Sequence, residues 1–195
     1  LNDVGSSVRV NVPSSFRQGI EFQAGVELQP RFRWDGNVTL SRNKIDVFSE
    51  ILYDYNTDFE YENPVTHENT DISFSPAFIA ASVFGYDVWS NDDSQIQCEL
   101  STKYVGKQYL DNTSNDNRSL PGYVVNNIVL SFSQSIKSGG DLKLSVFANN
   151  ILDNMYSANG WTYSYLFGGM DAMTTENYVY PQAGRHGFVN LTMTF

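Results

Sequence analysis

The chain is poor in the groups that build most soluble active sites. One cysteine, Cys98, stands among 195 residues, so an intrachain disulfide is excluded. It falls at an apolar position of an alternating run and reads as a small hydrophobe. The two histidines, His67 and His186, share no metal-ligand spacing with each other or with Cys98, so no metal site is expected. No glycine-rich phosphate loop, nucleophile motif or zinc signature is present, and neither an enzyme nor a cofactor is expected. Lysine and arginine number 12 against 22 acids, a net charge of -10 that argues against a nucleic-acid partner. Long apolar runs are missing too: no stretch approaches the roughly 20 residues of a membrane-spanning helix. The chain opens at Leu1 with neither an initiator methionine nor an export signal. Leu1-Asn2-Asp3-Val4-Gly5 reads as the tail of an element begun upstream, so a segment of a longer protein is expected.

What is present is alternation. Aromatics make up 14% and charged residues only 17% of the chain. From His186 to the C-terminus, Val189, Leu191, Met193 and Phe195 share one face. His186, Phe188, Asn190, Thr192 and Thr194 share the other, which is a strand with one greasy side. The same period runs through Ile20, Phe22, Ala24, Val26 and Leu28. It recurs in Phe32, Trp34, Val38 and Leu40, and in Ile96, Cys98, Leu100 and Tyr104 against Gln95, Gln97, Glu99 and Lys103. Further strands are expected over 71–88 (with Pro76 as a blemish, since proline cannot donate to a ladder), 122–135 and from Asp141. Val8, Val10 and Val12 alternate in a loop or short extension. A mean hydropathy of -0.33 does not decide the environment, because alternating strands hide their apolar face from averages.

The connections sort by length. Gln29-Pro30, Trp89–Asp93 and Lys137–Gly140 are short and fall at one end of the hairpins. The long ones, about 43–70, 110–121 and 152–184, fall at the other. Outer-membrane barrels have short periplasmic turns and long extracellular loops, whereas a soluble β-sandwich has no reason to sort its loops. Strands of about 11 residues at roughly 3.3 Å each, tilted ~45°, span the apolar band. Phe32 and Trp34 then sit where an interfacial aromatic girdle belongs, and Arg42 lies on the lipid parity at the outer end of its strand. The expected fold is all-β: an antiparallel transmembrane β-barrel segment of about seven strands over residues 1–195. Its closing strand faces lipid with Val189, Leu191, Met193 and Phe195. The acids Asp46, Glu50, Asp54, Asp58, Glu60, Glu62 and Glu68 read as a solvated loop. Four glycosylation sequons, two of them inside strands, read as chance matches.

Several phrases add a resemblance. Phe16-Arg17-Gln18-Gly19-Ile20-Glu21, residues 37–45, Tyr104–Asn112 and Tyr180–Arg185 resemble the C-terminal barrel of TonB-dependent outer-membrane receptors of the Bacteroidetes type. The most specific phrase is Val146-Phe147-Ala148-Asn149-Asn150-Ile151-Leu152-Asp153-Asn154-Met155-Tyr156. The resemblance implies a plugged barrel of about 22 strands in the outer membrane of a Gram-negative bacterium. It implies active uptake of a scarce ligand, a ferric siderophore or similar metal chelate, or else an oligosaccharide or peptide. It further implies lipid, the rest of the barrel, the plug, TonB and the barrel-assembly machinery (through Phe195) as partners, and a surface lipoprotein as an optional one. A passive porin or adhesin barrel and a soluble β-sandwich binding module are the alternatives.

Glu21, Asp35, Glu99, Lys103 and Lys143 fall on the polar face and read as a barrel interior with cross-strand pairs. For ligand contact the best candidates lie in the last long connection. There Trp161, Tyr163 and Tyr165 alternate and can present three aromatic planes on one side.

Overall fold

The structure, a computed structural model, describes residues 11–57, 62–136 and 139–195. Val8 and Val10, Asp58 and Glu60, and Lys137 and Ser138 lie outside the described residues. Strands β1 (Ser15–Gln29), β2 (Phe32–Tyr53), β3 (Glu62–Asp71), β4 (Phe78–Ser90), β5 (Ser94–Val105), β8 (Tyr123–Ile136), β9 (Gly140–Asn149) and β12 (His186–Thr194) form one antiparallel sheet. Neighbours run β1-β2-β4-β5-β8-β9-β12, and β3 pairs with the far half of β2. That path is a meander of seven strands, as the alternation predicts. Two small ribbons stand apart: β6 (Gln108–Tyr109) with β7 (Ser119–Leu120), and β10 (Ser157–Leu166) with β11 (Met173–Pro181). Among the described residues β1 and β12 do not pair with each other, so the sheet is open.

Register turns the alternation into two faces, one apolar throughout and one mixed, polar at β2 and β5 but carrying the stacked pair Phe147 and Phe188 at β9 and β12. Phe32, Tyr86, Cys98, Leu130, Val146 and Val189 stand side by side across six strands. One residue along, the opposite face reads Arg33, Gly85, Glu99, Val129, Phe147 and Phe188. A one-residue slip of any strand would exchange these rows, so the pattern itself fixes register. On the polar face Gly85 leaves room for Arg33 to reach past it to Glu99 at 3.0 Å; a Cβ at Gly85 would lie 2.7 Å from the Arg33 Nε. On the apolar face Trp34 and Phe32 gather against Phe84 with centroids at 6.4 and 5.9 Å, beside the short turns. The Trp34 indole N–H donates to Ser82 Oγ.

Burial is inverted relative to a soluble domain. The apolar row is open, with Tyr86 46% and Val189 65% exposed. The tightly buried leucines Leu52, Leu110, Leu120 and Leu166 all lie beyond the wall, in the long connections. Among the described residues the wall is a single sheet with no second large sheet beside it, which corrects the sandwich alternative.

Three expectations need adjustment. The acidic connection at 43–70 is not simply a solvated loop, because β2 continues to Tyr53 and β3 folds back on it. Ile45, Val47, Phe48, Ile51 and Leu52 carry strand-forming side chains, and Ile45 and Leu52 are buried. The strand expected from Asp71 starts only at Phe78. Phe74 takes a left-handed φ of 51° and Pro76 follows, so residues 72–77 form the connector between β3 and β4. The connection at 152–184 contains the β10–β11 hairpin.

The phrase at 146–156 acquires a physical meaning. Asn150, 2% exposed with φ 48°, donates through Nδ2 to the carbonyls of Asn154 (2.9 Å) and Ala183 (3.1 Å). Its Oδ1 accepts from the Asn154 N–H, and Asn154 Nδ2 donates to the Val124 carbonyl. Asp153 Oδ1 accepts from the Arg185 N–H at 2.7 Å. This knot ties both ends of the 152–184 excursion to β8 and to the start of β12.

Candidate functional site

Alternation along β10 places Trp161, Tyr163 and Tyr165 on one face, as expected. Gly160, Thr162, Ser164 and Leu166 take the other, and Leu166 is fully buried there. Across the hairpin Trp161 faces Tyr178, Tyr163 faces Glu176 and Tyr165 faces Thr174. Trp161 stacks on Tyr178 at 4.6 Å and 10°, and Tyr163 stacks with Tyr165 at 5.6 Å. A residue that the sequence reading missed completes the group. Tyr55 packs edge-on against Tyr165 at 5.3 Å, and its hydroxyl pairs with that of Tyr163. Its only sequence signal was the tyrosine-rich composition of the first long connection, 108 residues away from its partner.

Glu176 lies in the middle of this face. It accepts from the Tyr178 hydroxyl at 2.5 Å and, more weakly, from Tyr165 at 3.4 Å. Burial, and then the hydrogen bond to Tyr55, push the Tyr163 phenol up to about 12. The Tyr178 phenol is raised chiefly by its bond to Glu176. Both phenols therefore remain protonated donors at neutral pH. The surface is a shelf of five rings around one carboxylate, with Trp161 46% and Tyr178 47% exposed.

Two devices hold the shelf together. At its tip, Asp54 accepts from Gly168 N–H (3.0 Å) and Asn56 N–H (3.0 Å) at Oδ1 and from Gly169 N–H (2.8 Å) at Oδ2. The Gly168 bond, followed by that of Asn56, lowers the Asp54 carboxyl below its ordinary range. Gly168 and Gly169 have φ of 97° and 103°, a region that side chains other than hydrogen rarely enter, so glycine is required for both amides to reach one carboxylate. Beneath the shelf, Arg118 is 3% exposed. Its Nη1 donates to Glu50 Oε1 (2.7 Å) and Asp111 Oδ2 (2.9 Å), and Nη2 lies 4.0 Å from the Met173 sulfur. Burial opposes the Arg118 charge, but the bonds to Asp111 and Glu50 outweigh it and raise its pKa. Glu50 also bonds His67 (3.0 Å), which stacks on Phe48. One guanidinium thus joins the extension of β2, the 107–120 connection and β11. These are the interactions that the sequence could not pair.

The other named residues form a separate surface. Val189, Leu191 and Met193 stand on the apolar face opposite Val146, Leu144 and Leu142, and Phe195 follows β12 at the end with the short turns. They are 65%, 59%, 50% and 96% exposed.

The profile of the family described as "TonB dependent receptor-like, beta-barrel" matches residues 1–151. A search of curated proteins finds no match. Two solved structures share the fold. The ferric yersiniabactin uptake receptor FyuA from Yersinia pestis aligns over 92% of this chain with a TM-score of 0.58 at 20% identity. The siderophore receptor PiuA from Acinetobacter baumannii aligns over 92% with a TM-score of 0.61 at 15% identity. The chain spans 23% and 22% of the lengths of those two proteins. With a profile match over most of its length and a seven-strand meander of the matching architecture, the chain belongs to the TonB dependent receptor-like β-barrel family.

Proposed function

We propose that this chain is the C-terminal wall and extracellular loop layer of an outer-membrane receptor for active uptake of a scarce ligand, a ferric siderophore or similar metal chelate. The open apolar rows, ending in Val189, Leu191, Met193 and Phe195, face lipid. The polar face lines the interior and meets the plug, and energy reaches that plug through TonB. Phe195, at the periplasmic end, serves as the signal to the barrel-assembly machinery. The resemblance at 146–156 extends the proposal to a Bacteroidetes-type receptor, with a surface lipoprotein as an optional cap. The setting is the outer membrane of a Gram-negative bacterium.

One observation carries the ligand site: two connections far apart in sequence bring Tyr55, Tyr163 and Tyr165 together beside Trp161 and Tyr178 on an accessible face. Aromatic planes at such a site supply large contact area at small entropic cost. The two similar structures, one named a ferric yersiniabactin uptake receptor and the other a siderophore receptor, favour the chelate class. In the full receptor, Trp161→Ala with Tyr163→Ala is expected to weaken ligand binding at least tenfold while the barrel still assembles. Unchanged affinity in an assembled double variant would remove the shelf from the reading.

A further inference from the structure

The two segments that build the shelf share an excess of acidic over basic residues. The connection at 43–70, which supplies Tyr55, holds seven carboxylates against Lys44 and His67, and those two basic side chains are bonded to Asp71 and Glu50. The connection at 152–184, which supplies Trp161, Tyr163, Tyr165, Glu176 and Tyr178, holds three carboxylates and no lysine, arginine or histidine. The nearby cations of the loop layer are already engaged: Arg118 with Glu50 and Asp111, Lys107 with Asp116, Lys44 with Asp71. Ring faces are themselves electronegative, so the stacked aromatics add to the field of Glu176 and do not offset it. A ligand on the shelf sits within about one Debye length (~8 Å) of that carboxylate, so salt screens the interaction only in part.

We infer, building on the ligand site proposed above, that the shelf selects an uncharged or cationic ligand with flat apolar faces and hydrogen-bond donors, and rejects polyanionic chelates. Glu176 accepts two phenolic hydrogens, and a carboxylate has about four acceptor sites, so it retains capacity for a ligand hydroxyl or N–H. Cations gain further from the ring faces. Among iron chelates the distinction is sharp. Three hydroxamates, each losing one proton, balance the ferric charge and leave a neutral complex. Three catecholates, each losing two protons, leave a trianion. A neutral oligosaccharide presents the same chemistry, ring faces and hydroxyl donors without charge, so the test separates the two sources.

The experiment uses the full-length receptor in detergent and calorimetric titration with three probes: the uncharged ferric trihydroxamate ferrichrome, the trianionic ferric tris-catecholate of enterobactin, and maltohexaose. The expected result is that one uncharged probe binds at least tenfold more tightly than the trianion. Whether ferrichrome or maltohexaose does so identifies the source. Glu176→Lys should then narrow or reverse the gap by at least tenfold, and Glu176→Gln should narrow it less. The inference is overturned if the trianion binds as tightly as either neutral probe, or if none of the three binds. Trp161→Ala with Tyr163→Ala separates the two levels. Loss of trianion binding in that variant keeps the shelf as the site and removes only the charge rule. Binding that ignores the variant removes the shelf itself.

Discussion

Arg118→Met isolates the clamp beneath the shelf. Methionine keeps much of the arginine volume and can remain beside Met173, so the change removes charge and hydrogen bonds more than packing. Losing one member of a buried ion pair costs about 3–5 kcal/mol, because the remaining charge stays buried without its partner. Here Glu50 and Asp111 keep 20% and 26% of their side chains exposed and recover part of their hydration, which places the expected cost near the low end. At ~3 kcal/mol, and ~1.36 kcal/mol per factor of ten, local opening rises about 150-fold. The cost falls on three segments at once: 45–53, 107–120 and 173–181. Hydrogen–deuterium exchange of the full receptor, resolved by peptide, reads each of them separately. Exchange in β5, β8 and β9 should remain unchanged, since Arg118 bonds none of these strands. Arg118→Lys restores the charge but not the fork that spans two carboxylates, so it should recover only part of the protection. Unchanged exchange in all three segments, or a uniform rise across the wall strands, would refute the reasoning.

Protonation of Asp54 should release the tip. Its folded-state pKa is depressed below the ordinary 3.8, so the latch is fully present above that value and is lost as pH falls through the lower, latched one. Amide signals of nitrogen-labelled Gly168 and Gly169 should move together in that acid window and stay still at neutral pH. Leu191→Arg places a cation on the proposed lipid face near mid-membrane, at about 2–4 kcal/mol, and should block assembly, whereas Thr192→Arg on the opposite face should assemble; heat-modifiable migration of the barrel distinguishes the two. Asn150→Ala removes three side-chain hydrogen bonds and forces alanine into a left-handed φ, a loss of about 3 kcal/mol, so early exchange should appear at residues 183–188.

The wall was legible in the sequence because successive strand side chains point to opposite faces, and the proposed lipid and interior surroundings would impose that period of two on every strand. Val189, Leu191 and Met193 announce their face without reference to any partner. The ends of strands were less legible for the same reason. Past Asn43 the strand leaves the regular wall, and β2 running on to Tyr53 looked like loop because Asp46 and Glu50 interrupt its apolar face. Pro76 marked a break that the apolar phase of Ile72 and Phe74 concealed. Within the site, the alternation of Trp161, Tyr163 and Tyr165 was visible, but Tyr55 was not. Nothing local to Tyr55 says that Gly168 and Gly169 will bring β10 to it. Arg118 was equally opaque: a lone arginine in an Asn/Asp-rich connection reads as solvated until Glu50 and Asp111 are seen on either side of it.

The wall and the loop layer also differ in what holds them. Wall strands bury little against each other beyond their ladders, and their apolar rows stay open. The loop layer contains its own core of Leu52, Leu110, Leu120 and Leu166, its own buried ion cluster and its own latch. Yet it cannot assemble independently. The contacts of Tyr55 with Tyr163 and of Asp54 with Gly169 close over 108 and 115 residues, and the intervening chain includes the wall from β4 to β9. Such long closures follow the formation of the intervening pairings, because only then is their entropy already spent. The aromatic shelf is therefore expected to form last, after the meander is in register. A register slip in any wall strand from β4 to β9 displaces Tyr55 relative to Tyr163 and abolishes the shelf without touching either residue.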